Sequence, residues 1–238
     1  MNTPRYRHEL KYEISYAEME FLQRRLKGLL TPDPHAVNGV YLVRSLYFDD
    51  LFGSAYEEKL SGISKRRKYR LRIYDGKDAP IFLECKHKRE NYIFKESALL
   101  TKEEAEAFLR GEYTFLLNRG EPVCREAALA VLLSGLQPIV IVDYDRMPLV
   151  MEEGTVRITF DMRVRGCFAS TDLFAADPAP FYQVLPEDRL ILEVKYTEFL
   201  PRILSELLAG TNACQLAASK FVLCEDVRRT HLGLEVIV

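Results

Sequence analysis

Lysine and arginine recur at alternate positions of short apolar runs in this sequence, a spacing suited to gripping an anion that carries several charges. The runs read HELKYEI at 8–14, KYRLRIY at 68–74, IFLECKHK at 81–88, VRITFDM at 156–162 and LILEVKY at 190–196. Side chains alternate across a strand, so residues two apart share a face. One face then carries Glu9 with Lys11, Arg70 with Arg72, Glu84 with Lys86, Arg157 with Asp161, and Glu193 with Lys195. The other carries Leu10, Tyr12, Leu71, Ile73, Leu83, Cys85, Ile158, Phe160, Leu192 and Val194. An arginine fork matches the paired oxygens of phosphate or carboxylate. Carboxylates on the same faces bind phosphate badly but suit a hard divalent cation. Rows of cations with nearby carboxylates are the parts from which phosphoryl transfer is built, because catalysis there is positioning and charge stabilisation.

Two readings of the charged faces stand side by side. In one they look into solvent, and each Glu–Lys pair is a cross-strand salt bridge worth about 0.2–1 kcal/mol. In the other they line a lumen. The second is favoured over the set of strands: helices can cover the apolar faces, few Thr, Ser or Gln dilute the charge, and arginine recurs at paired positions. Like cations roughly 5–8 Å apart in such a lumen repel by several kcal/mol unless a polyanion neutralises them. Residue types alone leave a phosphate-and-metal site and a set of salt bridges equally open.

The elements that must position these residues are legible in outline. A strand at 5–14 leads into a helix from Ser15 to Leu30, with Ser15 as N-cap and Glu18 at capping-box spacing. TPDPHAVNG at 31–39 is a loop, VYLVRSLYFDD at 40–50 a strand, and 53–60 a short helix. Strands at 65–75 and 80–89 are joined by a turn that starts Asp-Gly, and Glu90-Asn91 turns the chain into YIFKESALL. Helices at Thr101–Arg110 and Val123–Leu133 separate the halves. The second half has strands at 138–151, 155–166 and 189–197, a loop at 170–188, and helices at 201–209 and 214–228. Closing such a sheet would remove its edges and create an interior.

Composition narrows the classes. A chain of 238 residues with no linker-like stretch reads as one domain that can bury a sizeable core. The formal net charge of −2 gives no global basic field for nucleic acid, so an anion site must come from local arrangement. No run of about 18 apolar residues is present, and the opening MNTPRYRHELKYE lacks the apolar core of a signal peptide. The five cysteines are scattered without C-x-x-C spacing and read as reduced thiols, with neither zinc nor disulfides indicated. His8, His35, His87 and His231 show no metal-ligand spacing. No P-loop or dinucleotide fingerprint occurs. Lys65-Arg66-Arg67-Lys68 reads as a solvated strand end that funnels anions toward Arg70 and Arg72, and Arg163 and Arg165 extend the Arg157 face as rim salt bridges.

HELKYEI, RSLYFDD, KYRLRIY, LECKHK followed by FKES, YDRM, VRITFD, LEVKY and SKF occur in an order that resembles the VTC-type polyphosphate polymerase domain of the CYTH, or triphosphate tunnel metalloenzyme, superfamily. The resemblance runs from Arg5 to Phe221. It implies an α+β fold, an eight-stranded, mainly antiparallel tunnel barrel with flanking helices. By it, Lys11, Arg70, Arg72 and Lys86 grip a triphosphate or growing chain, while Lys95, Arg146 and Arg157 complete the ring. Glu193 holds the divalent metal, Mn2+ or Mg2+, and Lys220 reaches in from the last helix. Glu9, Glu84 and Asp161 are further metal candidates, and Lys195 a further substrate-binding one. Arg7 replaces the first glutamate of the superfamily's usual E-x-E-x-K element, which favours the polymerase branch over triphosphatases and cyclases. No SPX-like sensor and no transmembrane segment accompany the match.

The implied activity is metal-dependent transfer of the ATP γ-phosphoryl group to polyphosphate by a cytoplasmic protein, peripheral to the membrane if a membrane protein on a separate chain takes the product. Hydrolysis of triphosphate or nucleoside triphosphate, and non-catalytic binding of polyphosphate, are the alternatives that the same residues allow. A β-rich scaffold that its charges merely solvate is a third.

Overall fold

The computed structural model describes residues 8–36, 38–89, 92–176, 178, 180–197, 199–209, 214–215 and 219–234. In chain order they form β1 (His8–Ser15), α1 (Tyr16–Leu26), β2 (Thr31–Pro32), β3 (Tyr41–Asp49), α2 (Ser54–Leu60), β4 (Lys65–Tyr74), β5 (Ile81–Arg89) and β6 (Tyr92–Leu100). There follow α3 (Lys102–Leu109), α4 (Pro122–Ser134), β7 (Gln137–Met151), β8 (Val156–Cys167), β9 (Tyr182–Gln183), β10 (Arg189–Tyr196), α5 (Arg202–Ala209), β11 (Cys214–Gln215) and α6 (Lys220–His231). One sheet joins the strands in the order β11-β1-β10-β8-β7-β3-β4-β5-β6, with β2 added to β7 and β9 to β8. Every pairing is antiparallel. Eight strands are eight residues or longer, the expected α+β set, and β2, β9 and β11 are two-residue additions. Among the described residues no hydrogen-bonded ladder joins β1 to β6. The sheet curls without closing that circuit, and Lys86 of β5 reaches Glu9 of β1 at 2.7 Å.

The alternation read from the sequence sets the layers. Leu71, Ile73, Leu83 and Cys85 face outward and pack with Ala105 and Phe108 of α3 and Val123, Cys124 and Ala127 of α4. Ile158, Phe160, Leu192 and Val194 pack with Leu22 and Leu26 of α1 and Leu204 of α5. Each fully buried aliphatic side chain contributes about 1.5–3 kcal/mol, so the helices hold the sheet's curvature from outside. A third cluster lies on the inner face: Val43, Val140, Val142 and Val164 meet Phe221, Val222 and Cys224 of α6. Gly166 permits that approach, since a Cβ there would stand 3.0 Å from the Cys224 Cβ.

Local signals explain most boundaries. Ser15 accepts the Glu18 amide at 3.2 Å while the Glu18 carboxylate accepts the Ser15 amide at 2.8 Å. Thr101 and Glu104 repeat the box on α3. α1 ends at Leu26, before the expected Leu30. The helix expected at 214–228 is corrected: Cys214–Gln215 pairs with Tyr12 and Glu13 at the edge of β1, and α6 begins at Lys220 behind its Ser219 cap. A β-bulge in β8 corrects another expectation. Arg163 has φ +49°, and the register with β7 shifts between Asp143 and Asp145. The extra residue inverts the facing, so Arg165 does not continue the Arg157 face and lies 3.8 Å from Asp143, while Arg163 pairs with Asp145 at 2.5 Å. The expected turn at Glu90-Asn91, and Arg7, lie outside the described residues.

Candidate functional site

The curled sheet and the start of α6 enclose a cavity of about 80 Å³. Its wall holds eight cations, Lys11, Lys68, Arg70, Arg72, Lys86, Arg146, Lys195 and Lys220, against two carboxylates, Glu9 and Glu193. Antiparallel register brings them to one level. Lys11 stands opposite Glu193 and Glu9 opposite Lys195 in the β1–β10 ladder, and Arg70 stands opposite Glu84 in the β4–β5 ladder.

Two carboxylates lie just behind this wall and hold it in shape. Glu84 is 2% exposed; it accepts Arg70 Nε at 2.7 Å and also holds Lys95. Asp161 is fully buried and takes Arg146 in a fork, Nε at 2.7 Å and Nη2 at 2.8 Å, and Lys220 Nζ at 2.5 Å. With Glu84, Asp161 and the Lys95 that Glu84 also holds included, the formal tally is nine cations to four anions, an excess for a ligand to neutralise. Tyrosines separate the cations. Tyr47 accepts Arg70 Nη1 at 2.9 Å, Tyr144 accepts Arg72 Nη2 at 3.2 Å, and Lys220 Nζ sits 4.7 Å above the Tyr144 ring.

The carboxylates differ as metal ligands. Glu84 and Asp161 are consumed by arginine and lysine. Glu9 and Glu193 face the cavity and lie close enough for each to disfavour the other's charge, and both are held by flexible lysines: Glu9 by Lys11 and Lys86 at 2.7 Å, Glu193 by Lys195 and by Lys220 at 3.7 Å. Two carboxylates with room for phosphate oxygens and water fit Mg2+ or Mn2+, which bind through one or two carboxylates plus substrate.

Burial works against every charge here, and the partners decide which survive. For Glu9 and Glu193 burial is outweighed by the surrounding lysines, so both carboxyls lie below the ordinary range. Burial is likewise outweighed at Lys11 by Glu9 and Glu193, which hold it above its ordinary value. Among the described residues Lys68 has no carboxylate partner: burial, then Lys11, Arg66 and Lys86, drive it well down, and it donates to the Ser219 hydroxyl at 3.0 Å. Burial pushes Lys86 down to about 8 despite Glu9. Lys195 is lowered by burial too.

Seven of the nine basic residues singled out from the sequence thus meet around one cavity, and two do not. Lys95 is bound to Glu84 and is about half exposed. Arg157 lies off the ring, paired with Asp33 at 2.7 Å and the Tyr41 hydroxyl at 3.1 Å. Lys68, Tyr47, Tyr144 and Ser219 line the cavity but had not been assigned to it. Alternation could have found the first three, since Lys68 shares a face with Arg70, and Tyr144 with Arg146. Lys68 instead read as part of a solvated basic run, which the β4 residues 65–67 do form.

Comparison with known proteins agrees with this architecture. The VTC domain profile matches residues 6–227. Among solved structures, HpAC1 from Hippeastrum, described as having a dominant triphosphatase activity, superposes with a TM-score of 0.54 at 15% identity over 97% of each chain. A Bacillus halodurans protein described as an adenylate cyclase candidate gives 0.52 at 15% identity, over 90% of this chain and 95% of that one. The PH1012 protein from Pyrococcus horikoshii gives 0.51 at 12%, over 91% and 98%. At these identities the likeness is one of fold. No curated protein sequence matches.

Proposed function

Because this chain belongs to the VTC domain family, we propose that it is a polyphosphate polymerase that transfers the γ-phosphoryl group of ATP to the end of a polyphosphate chain held in the cavity. The observation that carries this reading is the excess of buried cations over carboxylates on the cavity wall. In low dielectric that excess is costly, and it is relieved either by lysines such as Lys68 and Lys86 giving up protons or by a ligand with several negative charges. Arg70, Arg72 and Arg146, fixed by Glu84, Tyr144 and Asp161, present N–H donors in fixed directions and orient the phosphates. Lys11, Lys68, Lys86, Lys195 and Lys220 supply mobile charge. The chain's terminal oxygen forms a bond to the γ-phosphorus as the bond to the β-phosphate oxygen breaks and ADP leaves, so no protein nucleophile is required. A divalent cation held by Glu9 and Glu193 would neutralise charge on the transferring phosphates.

Incubation with ATP and Mn2+ is expected to yield acid-labile polymer resolved on a gel, with synthesis lost in Glu193→Ala and Arg72→Ala. Orthophosphate without polymer would assign hydrolysis instead. Tight polyphosphate binding without turnover under any divalent metal would assign a binding module. Among the described residues no helix is long and apolar enough to cross a membrane.

A further inference from the structure

The outer face of β5, opposite the cation ring, carries a second group of ligating side chains. Cys85 and His87 are two residues apart on that strand, and Glu126 of α4 descends on them. Their sulfur, ring nitrogen and carboxylate oxygen all lie within 4.8 Å of one another. His87 Nε2 is 2.9 Å from Glu96 Oε2 and 3.8 Å from Glu126 Oε2. Glu96 is the direct partner of Cys85 in the β5–β6 ladder. Cys85 is fully buried, and His87 is stacked on Phe94 at 4.3 Å.

A separate observation points to something that completes this group. Tyr69, 6% exposed, stands opposite Cys85 in the β4–β5 ladder, and its buried hydroxyl has no hydrogen-bond partner among the described residues. The group it faces is the Cys85 thiol. A thiol is a poor acceptor, whereas a metal-bound thiolate would accept the tyrosine proton well.

We propose that Cys85, His87 and Glu126, with Glu96 at the fourth position, form a structural zinc site that clasps α4 to β5 and β6. Thiolate, imidazole and carboxylate together are a zinc donor set, and Mg2+ or Mn2+ would reject the sulfur. Bonds of about 2.0–2.3 Å set tetrahedral ligand atoms roughly 3.3–3.8 Å apart, so small side-chain rotations close the group. Binding breaks the Cys85 S–H bond, forms the S–Zn bond and releases the proton to solvent. One thiolate and two carboxylates around Zn2+ leave a net charge of −1, which the Arg67 guanidinium, 3.5 Å from Glu126 Oε2, offsets. Glu84 and Lys86 alternate with Cys85 and His87 on β5, so the metal fixes the strand that presents the ring. None of this depends on what the cavity binds.

The full chain, stripped with chelator and titrated with Co2+, is expected to show a thiolate-to-cobalt charge-transfer band that saturates at one equivalent and that Zn2+ abolishes, and Zn2+ is expected to raise its melting temperature. Cys85→Ala should lose the band. Glu126→Gln, at a half-buried helix position that tolerates the change, should weaken uptake tenfold or more. Cys224→Ala and Glu193→Ala should leave the band unchanged. A cobalt complex without the band, or a band that survives Cys85→Ala, would overturn the assignment, and so would zinc binding insensitive to Glu126→Gln.

Discussion

The two sides of the cavity wall balance their charges differently. On the β7–β8 side Arg146, Asp161 and Lys220 form a closed set, forked and within 2.8 Å throughout. On the β4–β5 side Lys68 has, among the described residues, no carboxylate partner but the Ser219 hydroxyl and the Phe221 ring, and Lys86 must share Glu9 with Lys11. The first arrangement positions an arginine. The second leaves charge that the fold itself does not offset, as expected where a ligand rather than the protein supplies the counter-ion. Proteins retain such locally unfavourable groups where function needs them.

Breaking the closed side should have the largest effect. Asp161→Asn strands two buried cations and is expected to cost about 3–5 kcal/mol of unfolding free energy, read from denaturant midpoints. Lys68→Met separates the sides most sharply: it should raise the stability of the free protein yet weaken tripolyphosphate binding by about 1.5–3 kcal/mol in calorimetry, the size of a charged hydrogen bond. A loss of stability in that variant would mean that Lys68 is structural. The pH response sharpens the same contrast. The folded Lys86 loses its proton near 8, while the unfolded lysine keeps it to about 10.4. The unfolded chain therefore holds more protons between those values, and the free protein should gain stability as pH rises across that window, a gain absent in Lys86→Met and moderated because about a third of the side chain meets solvent. Tripolyphosphate, by favouring the charged form, should bind with proton uptake near pH 8.5, seen as a buffer-dependent binding enthalpy. The smallest effect is expected at Arg157→Ala. That arginine is partly exposed and stands off the ring, so its loss should change polyanion affinity by less than about 1 kcal/mol in calorimetry.

Period-two alternation made the sheet legible, because a one-residue slip would have exposed Leu71, Leu83, Phe160 and Val194 to water. The same pattern put Lys11, Arg70, Arg72, Lys86 and Lys195 on charged faces with no knowledge of pairing, whereas Arg146 and Lys220 entered only through the family resemblance. Three things were hidden. The bulge at Arg163 carries no glycine or proline to announce it. The withdrawal of Lys95 and Arg157 depends on Glu84 and Asp33, whose reach is a matter of three-dimensional distance. The outer cluster joins Cys85 and His87 to a glutamate some forty residues away, so no local spacing could reveal it.

Gly166 has a consequence for how deep Lys220 sits. An alanine methyl there would meet the Cys224 Cβ at 3.0 Å and its sulfur at 3.1 Å, and α6 would have to ride outward by a few tenths of an ångström. Lys220 is the first residue of that helix, so the missing side chain on β8 acts as a spacer of zero thickness. It lets the ammonium group come down to 2.5 Å from Asp161.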